Sequence, residues 1–232
     1  MTSTPQTSED AAASSLGPPR DGLVLRAARM VIRALFVTLT TPFFCVRYQN
    51  RPPLDHMGPV ILAPNHVSYF DPPVLQAATW THVTFLMTEK YYDFPIARWI
   101  FRIWGAIPVA EDRPASRAIK GALRALREGR HVVIFPEGTI SDDGFLNPGQ
   151  AGIAMLIAKA RVPIIPVSIL GTWDVLPRAG RWPRRHTVTV KFGEPIIPPA
   201  RLGKAELPVF AESVMDAIAE LGAPRRPQPV AP

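Results

Sequence analysis

A short loop predicted between a strand and a helix carries the most chemistry-bearing pair of side chains in this sequence. An apolar, β-prone run at residues 60–63 is broken by Pro64, and His66 and Asp71 follow it. Asp71 precedes two prolines and further apolar residues, a pattern that predicts a helix with Asp71 as its N-cap. Loops after strands are where α/β folds often place functional groups. The sequence therefore predicts two polar groups at one edge of a sheet.

Two interpretations of His66 and Asp71 stay open at this point. A histidine takes up a proton near neutral pH, and a carboxylate on its second ring nitrogen would fix the tautomer and stabilise the imidazolium. Alternatively, the histidine is an ordinary loop residue and the aspartate only a helix cap. The spacing alone does not decide between a catalytic pair and a structural one.

Composition narrows the class of protein. The 232 residues suit one α/β domain with appendages, and 47% apolar content excludes a wholly disordered chain. The net charge of +7 and a pI near 10.1 suggest an anionic partner such as a membrane, a phosphate-bearing substrate or a nucleic acid. The single cysteine, Cys45, excludes an intramolecular disulfide and a cysteine-rich metal site, and no signal peptide is predicted. No histidine spacing suggests a metal site, and no nucleic-acid motif is present.

The amino-terminal segments differ in character. Residues 1–22 are small and polar, which predicts a disordered tail. Residues 23–50 are predicted to be helical, with Arg26, Arg29 and Arg33 on one face, followed by an uncharged run at 34–46. That run is shorter than the ~18–20 residues of a spanning helix, so we expect an interfacial or re-entrant anchor whose arginines meet lipid headgroups. A buried amphipathic helix of the core is the alternative.

The remainder of the chain alternates predicted strands and helices. This order over residues 51–222 predicts an α/β domain with a central, mostly parallel sheet flanked by helices. We expect residues 47–59 to be a connector and residues 223–232 to be a disordered tail. A segment at 94–104, with Trp99, Trp104 and two arginines, suits either a lipid boundary or ordinary core packing.

A second loop with polar residues follows a later predicted strand, and it strengthens the catalytic interpretation of the first loop. Residues 135–139 read Phe-Pro-Glu-Gly-Thr and again place polar groups in a loop directly after a strand. Together with the His-x4-Asp pair, this resembles the glycerolipid acyltransferase family, typified by 1-acylglycerol-3-phosphate acyltransferases. Four blocks match that family in order, namely residues 65–71, 105–113, 135–139 and 162–167.

The resemblance implies a membrane-associated enzyme that transfers a fatty acyl group from a thioester to a hydroxyl of a lysolipid such as lysophosphatidic acid. In that case His66 is the general base and Asp71 orients it. Six further residues are implied to bind substrate: Asn65, Ser68, Arg113, Glu137, Gly138 and Thr139. No cofactor is implied, and the acyl donor is either acyl-CoA or an acyl carrier protein thioester. The expected location is the cytoplasmic face of the cell membrane.

Two departures from the family pattern affect the substrate. The third block often continues Gly-Thr-Arg-Ser, whereas this chain has Ile140 in place of the arginine. An arginine there would supply a charge-assisted contact with a phosphate, so its loss leaves room for a different lysolipid. The second block is one residue longer before Arg113 than the common pattern. A non-catalytic membrane-binding protein on the same fold remains an alternative.

Overall fold

The computed structural model describes residues 22–40, 44–79, 81–88, 98–99, 101, 103–109, 116–180, 182–199 and 201–227. Within these ranges seven strands form one sheet with the spatial order β1-β7-β6-β2-β5-β3-β4. They are β1 (Phe44–Gln49), β2 (Ile61–Pro64), β3 (Val83–Thr88), β4 (Ile107–Val109), β5 (His131–Val133), β6 (Ile164–Leu170) and β7 (His186–Phe192). Each neighbouring pair is parallel except β6 and β7. The predicted α/β class with a mostly parallel sheet is confirmed.

Helices cover both faces of the sheet. The described helices are α1 (Leu23–Thr40), α2 (Asp71–Ala78), α3 (Ser116–Arg127), α4 (Ala151–Ala160), α5 (Thr172–Val175) and α6 (Leu207–Glu220), with a 3-10 turn at Leu54–His56. Because strand side chains alternate between faces, Leu62 packs with α2 on one side, while Ile61 and Ala63 pack with α3, α4 and α6 on the other. The two apolar layers hold β2 at the centre of the molecule.

Strand β1 corrects the prediction that residues 23–50 are helical throughout. Phe44–Gln49 pairs in parallel with β7 at the edge of the sheet. Val46 and Tyr48 pack against the core, whereas Cys45 and Arg47 are exposed, which is the two-residue period of a strand. The helix ends at Thr40, ahead of Pro42, where a proline would interrupt its hydrogen bonds. The predicted connector at 47–59 therefore begins only after Gln49.

Two arginines of helix α1 face the body of the protein, whereas the prediction placed them toward lipid headgroups. Arg29 Nε donates to the carbonyl oxygen of Ile103 at 2.8 Å, and an Arg33 Nη donates to that of Ala77 at 2.9 Å. Burial lowers the pKa of Arg33. These two arginines thus bind the body of the protein rather than pointing outward to headgroups. The exposed stripe of α1 is instead apolar, and it includes Leu23, Val24, Met30 and Val31. No helix in the described part of the chain is both long and apolar enough to cross a membrane.

The predicted disorder at the carboxyl terminus is wrong for residues 223–227. Ala223 is buried, and the N–H of Leu146 donates to the carbonyl oxygen of Pro224. Arg226 forms an ion pair with Asp143. These contacts fasten residues 223–227 to the loop that follows β5. The predicted tail at residues 1–22 lies outside the described residues except for Gly22.

Candidate active site

The loop after β2 brings His66 and Asp71 into contact. His66 Nδ1 lies 2.9 Å from Asp71 Oδ2, and the imidazole keeps a small exposed fraction of 14%, whereas the carboxylate is fully buried. The imidazole stacks on the ring of Phe135, with the two centroids 3.8 Å apart. Since Asp71 occupies Nδ1, Nε2 is the ring nitrogen that a reacting group can approach.

Asp71 is not the helix cap that the sequence suggested. It is the first residue of α2, and Phe70 is the N-cap. A cap at Asp71 would have Pro73 at the second helical position, where proline has no N–H to donate, and the N–H of Val74 donates instead to the carbonyl oxygen of Phe70. The Asp71 carboxylate instead accepts the N–H groups of Val67 at 2.7 Å and Ser68 at 2.8 Å. The same oxygen, Oδ2, thus organises the loop and orients the imidazole.

Glu137 joins the two predicted polar loops. Its Oε1 accepts the N–H of His66 at 2.7 Å, and its Oε2 accepts the N–H of Asn147 at 3.0 Å. The side chain is only 1% exposed. Burial raises the pKa of Glu137 to about 7, the backbone hydrogen bonds oppose this shift, and the charge of Asp71 adds to it. Glu137 therefore fixes the backbone at His66, and its burial disfavours the direct substrate contact that was predicted.

Asn65 and Ser68 also hold the loop. The Asn65 amide donates to the carbonyl oxygen of Ile169 and accepts the N–H of the same residue, at 3.0 and 2.7 Å. Ser68 Oγ donates to the carbonyl oxygen of Leu176 at 2.7 Å. Both side chains are buried. We interpret these residues, like Glu137, as positioning residues rather than the substrate-binding residues that the sequence suggested.

Gly138 and Thr139 are exposed beside this network, and Arg113 lies outside the described residues. Gly138 has a φ of +70°, a conformation that favours glycine. The next polar residue, Ser141, was not predicted as part of the site. Its N–H donates to the carbonyl oxygen of His66 at 2.8 Å. Because this bond uses a backbone N–H, which every residue except proline has, nothing in the residue type of Ser141 could have predicted it.

Parallel topology explains why these loops meet. β5 and β6 both pair with β2, so the carboxyl ends of all three strands lie at one edge of the sheet. His82, which is half-buried, precedes β3, and the buried His131 begins β5, both at the opposite edge. Burial lowers the pKa of His82 to about 3 and lowers that of His131. Of these three histidines, only His66 is placed with a carboxylate at the edge where the strands end.

A histidine oriented by a buried carboxylate, at the carboxyl edge of a parallel sheet, defines a site for general acid–base chemistry. A family model described as acyltransferase matches residues 45–170, more than half of the chain, and the chain belongs to this family.

Characterised proteins agree with this assignment. A chloroplastic 1-acyl-sn-glycerol-3-phosphate acyltransferase of Brassica napus is 28% identical over 64% of this chain and 43% of its own length. A lyso-ornithine lipid O-acyltransferase of Pseudomonas aeruginosa is 31% identical over 64% of this chain and 63% of its own. The chain therefore spans less than two thirds of the length of these relatives.

A solved structure resembles this one over most of its length. The crystal structure of the 1-acyl-sn-glycerophosphate acyltransferase PlsC from Thermotoga maritima is 27% identical and superimposes with a TM-score of 0.68. The match covers 90% of this chain and 86% of that chain.

Proposed function

We propose that this protein is a membrane-associated O-acyltransferase that moves a fatty acyl group from an acyl thioester to the free hydroxyl of a lysolipid. The observation that carries the proposal is the His66–Asp71 pair, at 2.9 Å, in a chain of the acyltransferase family. A non-catalytic membrane-binding protein would have no need of this pair or of the buried network that holds it.

His66 is the general base in this reaction. Its Nε2 takes the proton of the acceptor hydroxyl as that oxygen bonds to the thioester carbonyl carbon. Asp71 stabilises the imidazolium that forms. The tetrahedral intermediate then collapses, the carbon–sulfur bond breaks, and the imidazolium returns the proton to the departing thiolate. The acceptor attacks directly, so no acyl-enzyme intermediate is required.

The acceptor is a lysolipid whose headgroup carries an anionic group, a phosphate or a carboxylate. The names of the relatives support 1-acylglycerol-3-phosphate first, and the Pseudomonas relative supports a lyso-ornithine lipid as the second candidate. Ile140 stands where the family often has arginine, and the loss of that phosphate contact supports the second candidate. The donor is acyl-CoA or an acyl carrier protein thioester, since either supplies the same reacting group.

Membrane association at the cytoplasmic face would bring the enzyme to its substrate. The apolar stripe of α1 supports this part of the proposal, because Leu23 and Val24 are each 84% exposed and the exposed Met30 and Val31 follow about two turns later on the same face. A helix with such a stripe binds the interface between lipid headgroups and acyl chains.

Acceptor-dependent thiol release tests the proposed reaction. Detergent-purified protein would be given long-chain acyl-CoA or acyl carrier protein thioester, with no acceptor, lysophosphatidic acid, a lyso-ornithine lipid or a neutral monoacylglycerol. We expect release only with an acceptor, and mass spectrometry should identify the diacylated product. Equal release with and without acceptor would indicate a thioesterase, and no release with either donor would favour the non-catalytic alternative.

A further inference from the structure

The described residues between β6 and β7, 171–180 and 182–185, lie at the same edge of the sheet as His66. This segment is joined to the His66 loop by the hydrogen bond from Ser68 Oγ to the carbonyl oxygen of Leu176. The segment then turns sharply, since the N–H of Gly180 donates to the carbonyl oxygen of Pro177 at 2.8 Å. Arg178 is the first residue inside this turn, two residues after the contact with Ser68.

Arg178 reaches from this turn to the loop after β5. Its Nη1 donates to Asp142 Oδ1 at 2.9 Å and to the carbonyl oxygen of Ile140 at 3.4 Å. Ile140 directly precedes Ser141, whose N–H donates to the carbonyl oxygen of His66. The guanidinium is therefore connected to the His66 loop by two routes, one through Ser68 and one through Ile140 and Ser141, and we call this exposed border of the loop network the rim.

The contacts of Arg178 differ from those of Arg226, which binds the same loop. Arg226 uses Nε and both Nη atoms in hydrogen bonds to Asp143, Leu146 and Asn147, so its donors serve to clamp the loop. For Arg178, Nη1 is the donor that bonds to other residues within the described part of the chain. Its guanidinium therefore retains donors for a ligand.

The ion pair between Arg178 and Asp142 is easily exchanged. The two side chains are 44% and 79% exposed. Water screens an exposed pair of this kind, so it contributes little to stability. An anionic ligand at the rim could displace the Asp142 carboxylate at little cost and form a bidentate contact with the planar guanidinium.

We propose that Arg178 is a specificity-determining residue that binds the anionic group of the acceptor headgroup, a phosphate or a carboxylate, with Asp142 as its counter-ion when no acceptor is bound. The inference rests on the proposed function. The polar side chains nearest His66 along the network, those of Asn65, Ser68 and Glu137, are buried and carry no positive charge. Among the described residues of this network, Arg178 supplies a positive charge for an anionic acceptor, and it does so from a different segment than Ile140.

Kinetics of Arg178→Ala and Arg178→Lys test the assignment, with Arg185→Ala as the control because it removes the same charge from an exposed position in the same segment. We expect Arg178→Ala to raise KM for lysophosphatidic acid or a lyso-ornithine lipid by about ten- to a hundredfold, with kcat and the KM of the acyl donor nearly unchanged. Arg178→Lys should raise this KM less, and the KM for a neutral monoacylglycerol should not change in either variant. A larger rise in KM for lysophosphatidic acid would identify phosphate as the group bound, and a larger rise for the lyso-ornithine lipid would identify carboxylate.

Direct binding separates this inference from the proposed reaction. Thermal denaturation of wild-type protein with glycerol 3-phosphate, compared with glycerol, should show stabilisation that Arg178→Ala abolishes and Arg185→Ala retains. A wild-type protein that does not turn over but shows this difference would refute the acyltransferase proposal and support the anion site. Equal acceptor KM values for Arg178→Ala and Arg185→Ala, or equal stabilisation, would overturn the role of Arg178. A lower melting temperature of Arg178→Ala without ligand, with kcat reduced for every acceptor, would indicate a structural role and would also overturn it.

Discussion

One carboxylate oxygen of Asp71 accepts three donors, the N–H groups of Val67 and Ser68 and the imidazole of His66. The other oxygen, Oδ1, is buried without a hydrogen-bond partner in the described structure. A buried oxygen without a donor is costly, so the negative charge must be stabilised mainly through Oδ2. Asp71 therefore combines two tasks, since it sets the loop conformation and fixes the imidazole.

Asp71→Asn should impair the reaction more than the fold. An amide of the same shape can still accept the loop N–H groups, but it carries no charge to stabilise an imidazolium. We expect kcat to fall on the order of 10³-fold, with KM for both substrates changed little. Steady-state kinetics at saturating acceptor measure this, with circular dichroism to verify folding. A kcat within about tenfold of wild type would contradict the orienting role, since general acid–base catalysis alone contributes roughly 10²–10⁴-fold.

Glu137 should make stability depend on pH. Burial raises its pKa to about 7 from 4.5, so the folded state holds this proton more tightly than the unfolded chain does. The resulting stabilisation is fully present below pH 4.5 and is lost as the pH rises through about 7. Glu137→Gln has no titrating group at this position and cannot show the effect.

Urea unfolding at pH 5 and pH 8 measures this difference. Relative to the Gln variant, the wild-type protein should lose up to about 3 kcal/mol of unfolding free energy between the two pH values, at about 1.4 kcal/mol per pKa unit. Other ionisable groups are common to both proteins, so their contributions cancel in the comparison. An identical pH dependence for the two proteins would show that the pKa of Glu137 is not raised.

At the scale of elements, hydrophobic pattern predicted most of the fold. The alternation of strands and helices over residues 51–222 was predicted, because apolar runs and Gly or Pro breaks mark most of them clearly, but the short helix α5 was not. β1 was missed, because its apolar residues continue those of α1 and the alternation of Val46 and Tyr48 is too short to stand out. The orientation of α1 was also missed, since arginine donors can bind buried carbonyl oxygens as readily as solvent or lipid.

Contacts between segments distant in sequence could not be predicted. The hydrogen bonds of Asn65 to Ile169 and of Ser68 to Leu176 each span more than 100 residues. Nothing in the local pattern of either segment specifies its partner. The His66–Asp71 pair was predictable because its two members lie in one short loop, whereas the role of Glu137 depends on the adjacency of β2 and β5 in the sheet.

The connection from β6 to α5 depends on Gly171. Its φ is +87°, and a Cβ there would lie 2.2 Å from the carbonyl oxygen of Thr187, a backbone atom of β7. Gly171→Ala should therefore cost roughly 2–4 kcal/mol of unfolding free energy. Gly58→Ala is the matched control, since a Cβ at Gly58 meets nothing within 4 Å. Denaturant unfolding of both variants measures the effect, and equal stabilities would contradict the described packing.

The apolar stripe of α1 should determine membrane binding. Met30→Glu combined with Val31→Glu places two charges on the exposed stripe, and we expect binding to phospholipid vesicles to weaken at least about tenfold. Val209→Glu is the control, because Val209 is a comparably exposed apolar residue, 72%, on a different helix, α6. Vesicle co-sedimentation measures the change. Equal loss in both proteins would mean that α1 has no special role.

At the scale of the whole molecule, the sheet places its chemistry at one edge. The strands β2, β5 and β6 end there, and the loops that follow them supply His66, Glu137 and Arg178. The flanking helices supply apolar side chains to the core. Helix α1 also presents an exposed apolar surface. In the proposed enzyme, the loop network orients the base, Arg178 at the rim selects the acceptor, and helix α1 meets the lipid.

We propose that His66 is the base for acyl transfer to a lysolipid. The most direct measurement is acceptor-dependent thiol release by wild-type protein and by His66→Ala, with His186→Ala as the control. His186 also lies near an aspartate, Asp174, at 3.5 Å, but both side chains are about half exposed. We predict that His66→Ala abolishes acceptor-dependent release, by at least about 10³-fold, while His186→Ala retains it. Equal release from wild type and His66→Ala would contradict the mechanism.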